Sequence, residues 1–126
     1  MKLLLLLAPL LFAGTTKPEP LAGSWAGDGI ALEISPEEIR VEYDCAHGTI
    51  DGAIVPDRRG RFTLGGTHGQ EHGGPVRQRE DRAAGRARYV GRVRGTTMTL
   101  TVTADGEKIG TFTLEKGREP SLVKCR

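Results

Sequence analysis

The feature that most restricts this chain is strict alternation of apolar and polar residues, densest over residues 39–54, IRVEYDCAHGTIDGAI. Ile39, Val41 and Tyr43 alternate with Arg40, Glu42 and Asp44, the period of a strand with one buried and one wet face. Cys45 continues the apolar phase, Gly48 reads as a break, and a second strand is expected over 49–55.

The same period recurs along the chain. Residues 21–27 form a first short strand, and Asp28-Gly29 is a two-residue hairpin signal. Ile30, Leu32 and Ile34 then face inward. Ser35-Pro36-Glu37-Glu38 has the residues of a helix start, and because period two follows, a single helical or 3₁₀ turn is expected there. Pro56 to Gly60 is turn chemistry, followed by a short strand over 61–64. Residues 65–84 lack periodicity and are rich in glycine, so they read as a long loop. Residues 85–94 alternate again, with Arg86, Arg88, Arg92 and Arg94 on the outer face. Gly95-Thr96 and Asp105-Gly106 turn the chain, Met98, Leu100 and Val102 face in, and so do Gly110, Phe112 and Leu114. Residues 122–125 return as an edge strand. Eight or nine short strands joined by tight turns predict an all-β fold. An antiparallel up-and-down barrel of about eight strands, which removes sheet edges, is expected; a two-sheet sandwich is the alternative.

Residues 1–15 read as a signal peptide, with Lys2 before an apolar run over 3–12 that is shorter than the roughly 20 residues of a membrane span. Residues 16–20 form a Pro-rich leader and 21–126 a single domain, so no membrane span is expected after cleavage. Without Lys2 the basic residues fall from 18 to 17 against 16 acids. The charges are segregated. Residues 19–57 hold nine acids and one base, and residues 58–94 hold ten arginines and three acids, a split expected to pair acidic strands with basic ones. Export to the periplasm or beyond implies an oxidising compartment, so the only two cysteines, Cys45 and Cys125, are expected to bond. The loop they close, about 80 residues, corresponds to roughly 4.5 kcal/mol of chain entropy.

Gly23-Ser24-Trp25 on a first strand resembles the opening of the calycins, the lipocalin and avidin group, and of the exported bacterial metalloprotease-inhibitor barrels. The resemblance implies a small exported barrel in which Trp25 is a packing residue. The stretches YDCAHG, HGGPVR, MTLTV and VKC are also similar to bacterial exported proteins of unassigned activity, which implies nothing about chemistry.

His68-Gly69-Gln70-Glu71-His72 has the H-x-x-E-H spacing of inverted zinc peptidases, whose chemistry needs a helix. The glycines and Pro75 around it each oppose one, at about 1 and 3 kcal/mol, so the peptidase reading fails. A looser zinc site through His47, His68 and His72, with Glu71 or Asp44, stays open. There is no Gly-x-Ser-x-Gly motif, and the chain is not expected to be an enzyme. With near-neutral charge and Tyr89 alone among the arginines of 85–94, no nucleic-acid platform is expected.

The function expected is therefore binding. A protein partner or target enzyme would meet the long loop, whose candidate contacts are His68, Gln70, Glu71, His72, Gly73, Gly74, Pro75 and Arg77. The alternative is a small apolar ligand inside the barrel, with room left at Gly52, Gly91 and Gly110.

Overall fold

The computed structural model describes residues 19–70, 85–123 and 125. They form β1 (Gly23–Gly27), β2 (Ile30–Ile34), β3 (Ile39–Tyr43), β4 (Ala46–Ile50), β5 (Arg61–Gln70), β6 (Gly85–Arg94), β7 (Thr97–Ala104) and β8 (Glu107–Lys116). Each strand pairs antiparallel with the next, and β1 meets β8, so the sheet is a closed up-and-down barrel rather than a sandwich. No helix among the described residues is long and apolar enough to cross a membrane.

The alternation places its apolar set as expected. Ile30, Leu32, Val41, Tyr89, Met98, Leu100, Val102 and Leu114 are buried inside, together with Trp25. Three of the tight turns fall where glycine supplies a left-handed φ: 28–29, 95–96 and 105–106. At the β4–β5 connection the Asp57 carboxylate accepts the backbone N–H groups of Arg59 and Arg61. Those two bonds hold its carboxyl below the usual range.

Several expectations are corrected. Cys45 does not extend β3. Asp44 and Cys45 are themselves a two-residue turn between Tyr43 and Ala46, with Cys45 at φ 55°. Gly48 is not a break but the middle of β4, opposite Val41 and His68, and residues beyond Ile50 leave the strand. Residues 35–38 are a bend without helix: Ser35 N–H donates to the Glu38 carbonyl and Glu38 N–H donates to Ser35 Oγ, which closes a hairpin. The short strand expected over 61–64 runs on to Gln70. The arginine-bearing β6 lies against the threonines of β7, as in Arg88 opposite Thr103 and Arg92 opposite Thr99, rather than against an acidic strand. Glu33 opposite Arg40 and the exposed Arg86–Asp51 ion pair do follow the expected charge pairing.

The glycines inside the barrel do not leave room for a ligand. A Cβ on Gly91 would collide with the Phe62 ring, one on Gly66 would meet Tyr89 Cε2 at 2.9 Å, and one on Gly110 would meet Phe112 Cζ at 3.0 Å. Gly52 lies in the connection after β4, with φ 81°. The space that glycine opens is filled by aromatic rings.

The C-terminal segment is not an edge strand. From Gly117, whose N–H bonds the Ser24 carbonyl, it turns back to give a parallel bridge between Ser121 and Asp28. The Cys45 N–H then donates to the Val123 carbonyl, and the Val123 N–H to Asp44 Oδ1 at 2.7 Å. Cys45 and Cys125 are disulfide-bonded, with Cα atoms 4.9 Å apart. Ala26 and Ala31 are buried although both lie out of phase with the inward residues of their strands.

Candidate functional site

The two ends of the barrel differ because the strands differ in length. β1 to β4 have five residues each, whereas β5, β6 and β8 have ten and β7 has eight. The stagger accumulates at one seam. β8 pairs with β1 only through Lys116–Trp25 and Glu115–Ala26, so the half of β8 before Thr113 overhangs the end of β1. The barrel mouth lies beneath that overhang.

A depression of about 650 Å³ occupies the mouth, floored by Tyr43, Ala46, His68 and Phe112, with Gln70 and Ile109 on its rim. The residues come from distant parts of the chain for local reasons. Tyr43 is the last inward residue of β3 before the 44–45 turn. His68 is inward on β5, opposite Gly48. Phe112 is inward on β8, across the mouth from Tyr43, with ring centroids 5.8 Å apart. The His68 and Tyr43 rings meet edge to face at 4.8 Å.

The polar atoms of the floor divide into used and unused. Tyr43 Oη donates to Tyr89 Oη at 2.9 Å, and Tyr89 Oη donates to the Thr67 carbonyl at 2.6 Å. Burial first, then Tyr89, pushes the Tyr43 phenol far above its ordinary range, and burial likewise raises Tyr89. Both phenols stay neutral and occupied. His68 is 8% exposed, and its Nδ1 is buried without a hydrogen-bond partner among the described residues. Burial, then His47, pushes its imidazole below the ordinary histidine value. It is thus neutral at pH 7, with one N–H and one bare nitrogen. The carboxylates at the lip are engaged: Asp44 accepts the Val123 N–H, and Asp28 pairs with Arg118 at 2.6 Å.

Of the expected loop contacts, His68 and Gln70 do line the mouth, but from a strand rather than a loop. Glu71, His72, Gly73, Gly74, Pro75 and Arg77 lie outside the described residues. The expected zinc set is not assembled by β4 and β5. His47 pairs with Gly69 and is exposed, while His68 pairs with Gly48 and is buried, so the two imidazoles project from opposite faces of the sheet. His72, the third member, is outside the described residues. Tyr43 and Phe112 were legible only as core residues, because alternation shows which face a residue takes and not how near the barrel's end it lies.

A second depression, about 610 Å³, lies at the other end between Leu21, Ile34, Pro36, Ile39 and Ile50. Among the described residues, none of its lining side chains has a buried polar atom without a hydrogen-bond partner.

Neither the protein-family models, nor the curated proteins, nor the solved structures give a match to this chain.

Proposed function

We propose that this is a non-enzymatic exported binding module that engages a protein partner at the open mouth of its barrel. One observation carries the reading: the barrel ends in an aromatic-floored depression of about 650 Å³ that holds a buried, unpartnered imidazole nitrogen. Concave, mostly apolar sites with a few placed polar groups are the usual form of binding sites. The apolar-carrier alternative has less support, since rings fill the glycine levels it relied on. The disulfide suits an oxidising compartment, and with the apolar leader it supports export.

The test uses two exposed aliphatic residues of equal exposure, Ile109 on the mouth rim at 39% and Val90 on the outer face of β6 at 40%. A photo-crosslinking residue is placed at each in turn and irradiated in the native exported fraction. A discrete adduct from position 109, absent from position 90 and lost with Gln70→Arg at the rim, is expected. Equal adducts from both positions, or an adduct from 90 alone, would move function away from the mouth.

A further inference from the structure

We infer that the overhanging edge of β8 is a strand-addition site: an extended segment of the partner pairs with it and seats a tyrosine or tryptophan on the His68 floor. The inference rests on the mouth being the binding surface and specifies how that surface is used.

The direction of the β8 backbone follows from its ends. The Lys116 N–H bonds the Thr96 carbonyl on the β7 side, and the Gly117 N–H bonds the Ser24 carbonyl on the β1 side. Main-chain groups alternate sides along a strand. Glu115, Thr113 and Thr111 therefore direct theirs toward β1. Glu115 is opposite Ala26, and the Thr113 carbonyl lies against Gly27. Gly27 is the last residue of β1, so at Thr111 there is no strand left to pair with. Its N–H and carbonyl have no backbone partner on that side among the described residues.

Unpaired edges are normally blunted, and part of this one is. Val102 pairs with Gly110 and Thr103 with Lys108, so Ile109 is the extra residue of a bulge. The bulge and Lys108 limit regular pairing to the stretch just after it, at Gly110 to Thr113. That stretch borders the depression, since Lys108, Ile109 and Phe112 all line it. A peptide laid along it would run between β8 and the 28–29 and 44–45 turns, which line the opposite side. Strand addition commonly works this way, with main-chain bonds giving affinity and a pocket for alternate side chains giving specificity.

The floor decides which side chain enters. It is built of the Tyr43 and Phe112 rings, which favour an aromatic guest. Its unused polar atom is a buried nitrogen of a neutral ring, so a charged group seated on that floor would gain no opposite charge from it, the charges of Asp28, Asp44 and Lys108 lying elsewhere in the lining. An aromatic body with one uncharged polar atom fits both conditions, and tyrosine and tryptophan are the side chains of that kind.

The test is binding of capped pentapeptides to the full chain, with the central residue fixed as Tyr, Trp, Phe or Ala and the flanking residues drawn from Thr, Val, Ile and Lys. Enrichment confined to the Tyr and Trp sets is expected, with Phe weaker by several-fold and Ala by about tenfold or more. His68→Leu should erase the preference of Tyr over Phe while leaving the Phe peptides bound. In hydrogen exchange the Thr111 amide should slow on binding. Methylating the backbone nitrogen of one alternate set of peptide residues should abolish binding, and methylating the other set should not. Two results overturn the inference: no enriched peptide, or bound peptides indifferent to N-methylation with Thr111 unprotected. If either occurs while the position-109 adduct persists, strand addition fails and the mouth remains the binding surface. Loss of the adduct as well removes both.

Discussion

The halves of this barrel are held in different ways. In β5 to β8 the strands are long, and Tyr89, Leu100, Val102 and Met98 are fully enclosed by neighbouring strands. In β1 to β4 each strand has five residues, and the half is tied from outside by a strap and a disulfide. The comparison teaches where the open end comes from. Strands of equal length would have paired β8 along its whole edge and closed the mouth. Five-residue strands beside ten-residue ones leave the overhang, and the strap anchors the turns that form its far lip.

The largest effect should come from cutting that anchor. Replacing both cysteines, Cys45→Ser with Cys125→Ser, should cost about 4–5 kcal/mol on the chain-entropy estimate, read as a drop in the urea midpoint. Hydrogen exchange should show it unevenly. Amides 29 and 45, which donate to Ser121 and Val123, should lose protection first, while those of β6 and β7 keep theirs until global unfolding. A uniform loss across both halves would erase the distinction.

Overpacking tests the long half. A methyl at Gly91→Ala has no space beside Phe62, so a loss of about 1–3 kcal/mol is expected. Phe62→Leu on the same chain should recover part of it. An Ala at 91 that leaves the thermal midpoint unchanged would mean that the rings are loosely held.

This pair of sites also shows what could be read in advance. The period-two pattern was enough for the number of strands in the barrel, though not for the bounds of β4, and the turns at 28–29, 95–96 and 105–106 each carry their own local signal. The second half of β5 carried none. Gly65, Gly66 and Gly69 show no side-chain pattern, and the need for Gly66 lies in Tyr89 and in the Thr49 backbone, distant in sequence. Likewise Asp44-Cys45 lacks the glycine of a turn signal, and the contacts that hold Cys45 at positive φ come from Val123 and Cys125. The mouth was illegible for a related reason. It exists because strand lengths are unequal around a closed sheet, which is a property of the pairing and not of any one segment.

A smaller effect should come from the phenol pair that joins the halves. Tyr43 belongs to β3 and Tyr89 to β6, and their hydroxyls bond across the interior. Tyr43→Phe removes that donor while Tyr89 keeps its bond to the Thr67 carbonyl, so the expected loss is about 0.5–1.5 kcal/mol. Tyr89→Phe should cost more than Tyr43→Phe, because it removes both the bond from the Tyr43 hydroxyl and the bond to the Thr67 carbonyl. Equal losses would mean that the Thr67 bond contributes nothing measurable.

The smallest effect is a slope with pH, and it belongs to His68. Burial first, then His47, lowers its folded-state pKa below the ordinary 6.5. The unfolded chain therefore takes up a proton on this ring at a higher pH than the folded chain does. Where the unfolded state binds more protons, stability rises with pH. The His68 contribution should be complete above about 6.5, decline as pH falls from there toward the folded value, and be fully lost below it. Asp57, whose carboxyl is lowered by backbone bonds, has the same sign but acts in the acid range of carboxylates. The difference between wild type and His68→Gln isolates the imidazole from that background. Urea midpoints measured from pH 8 to pH 5 should fall more steeply for wild type than for the variant, with the curves diverging below about 6.5. Parallel curves would mean that His68 is protonated as readily in the barrel as in the unfolded chain. The imidazole could then carry a charge in the mouth, and the preference for an uncharged aromatic guest would lose its basis.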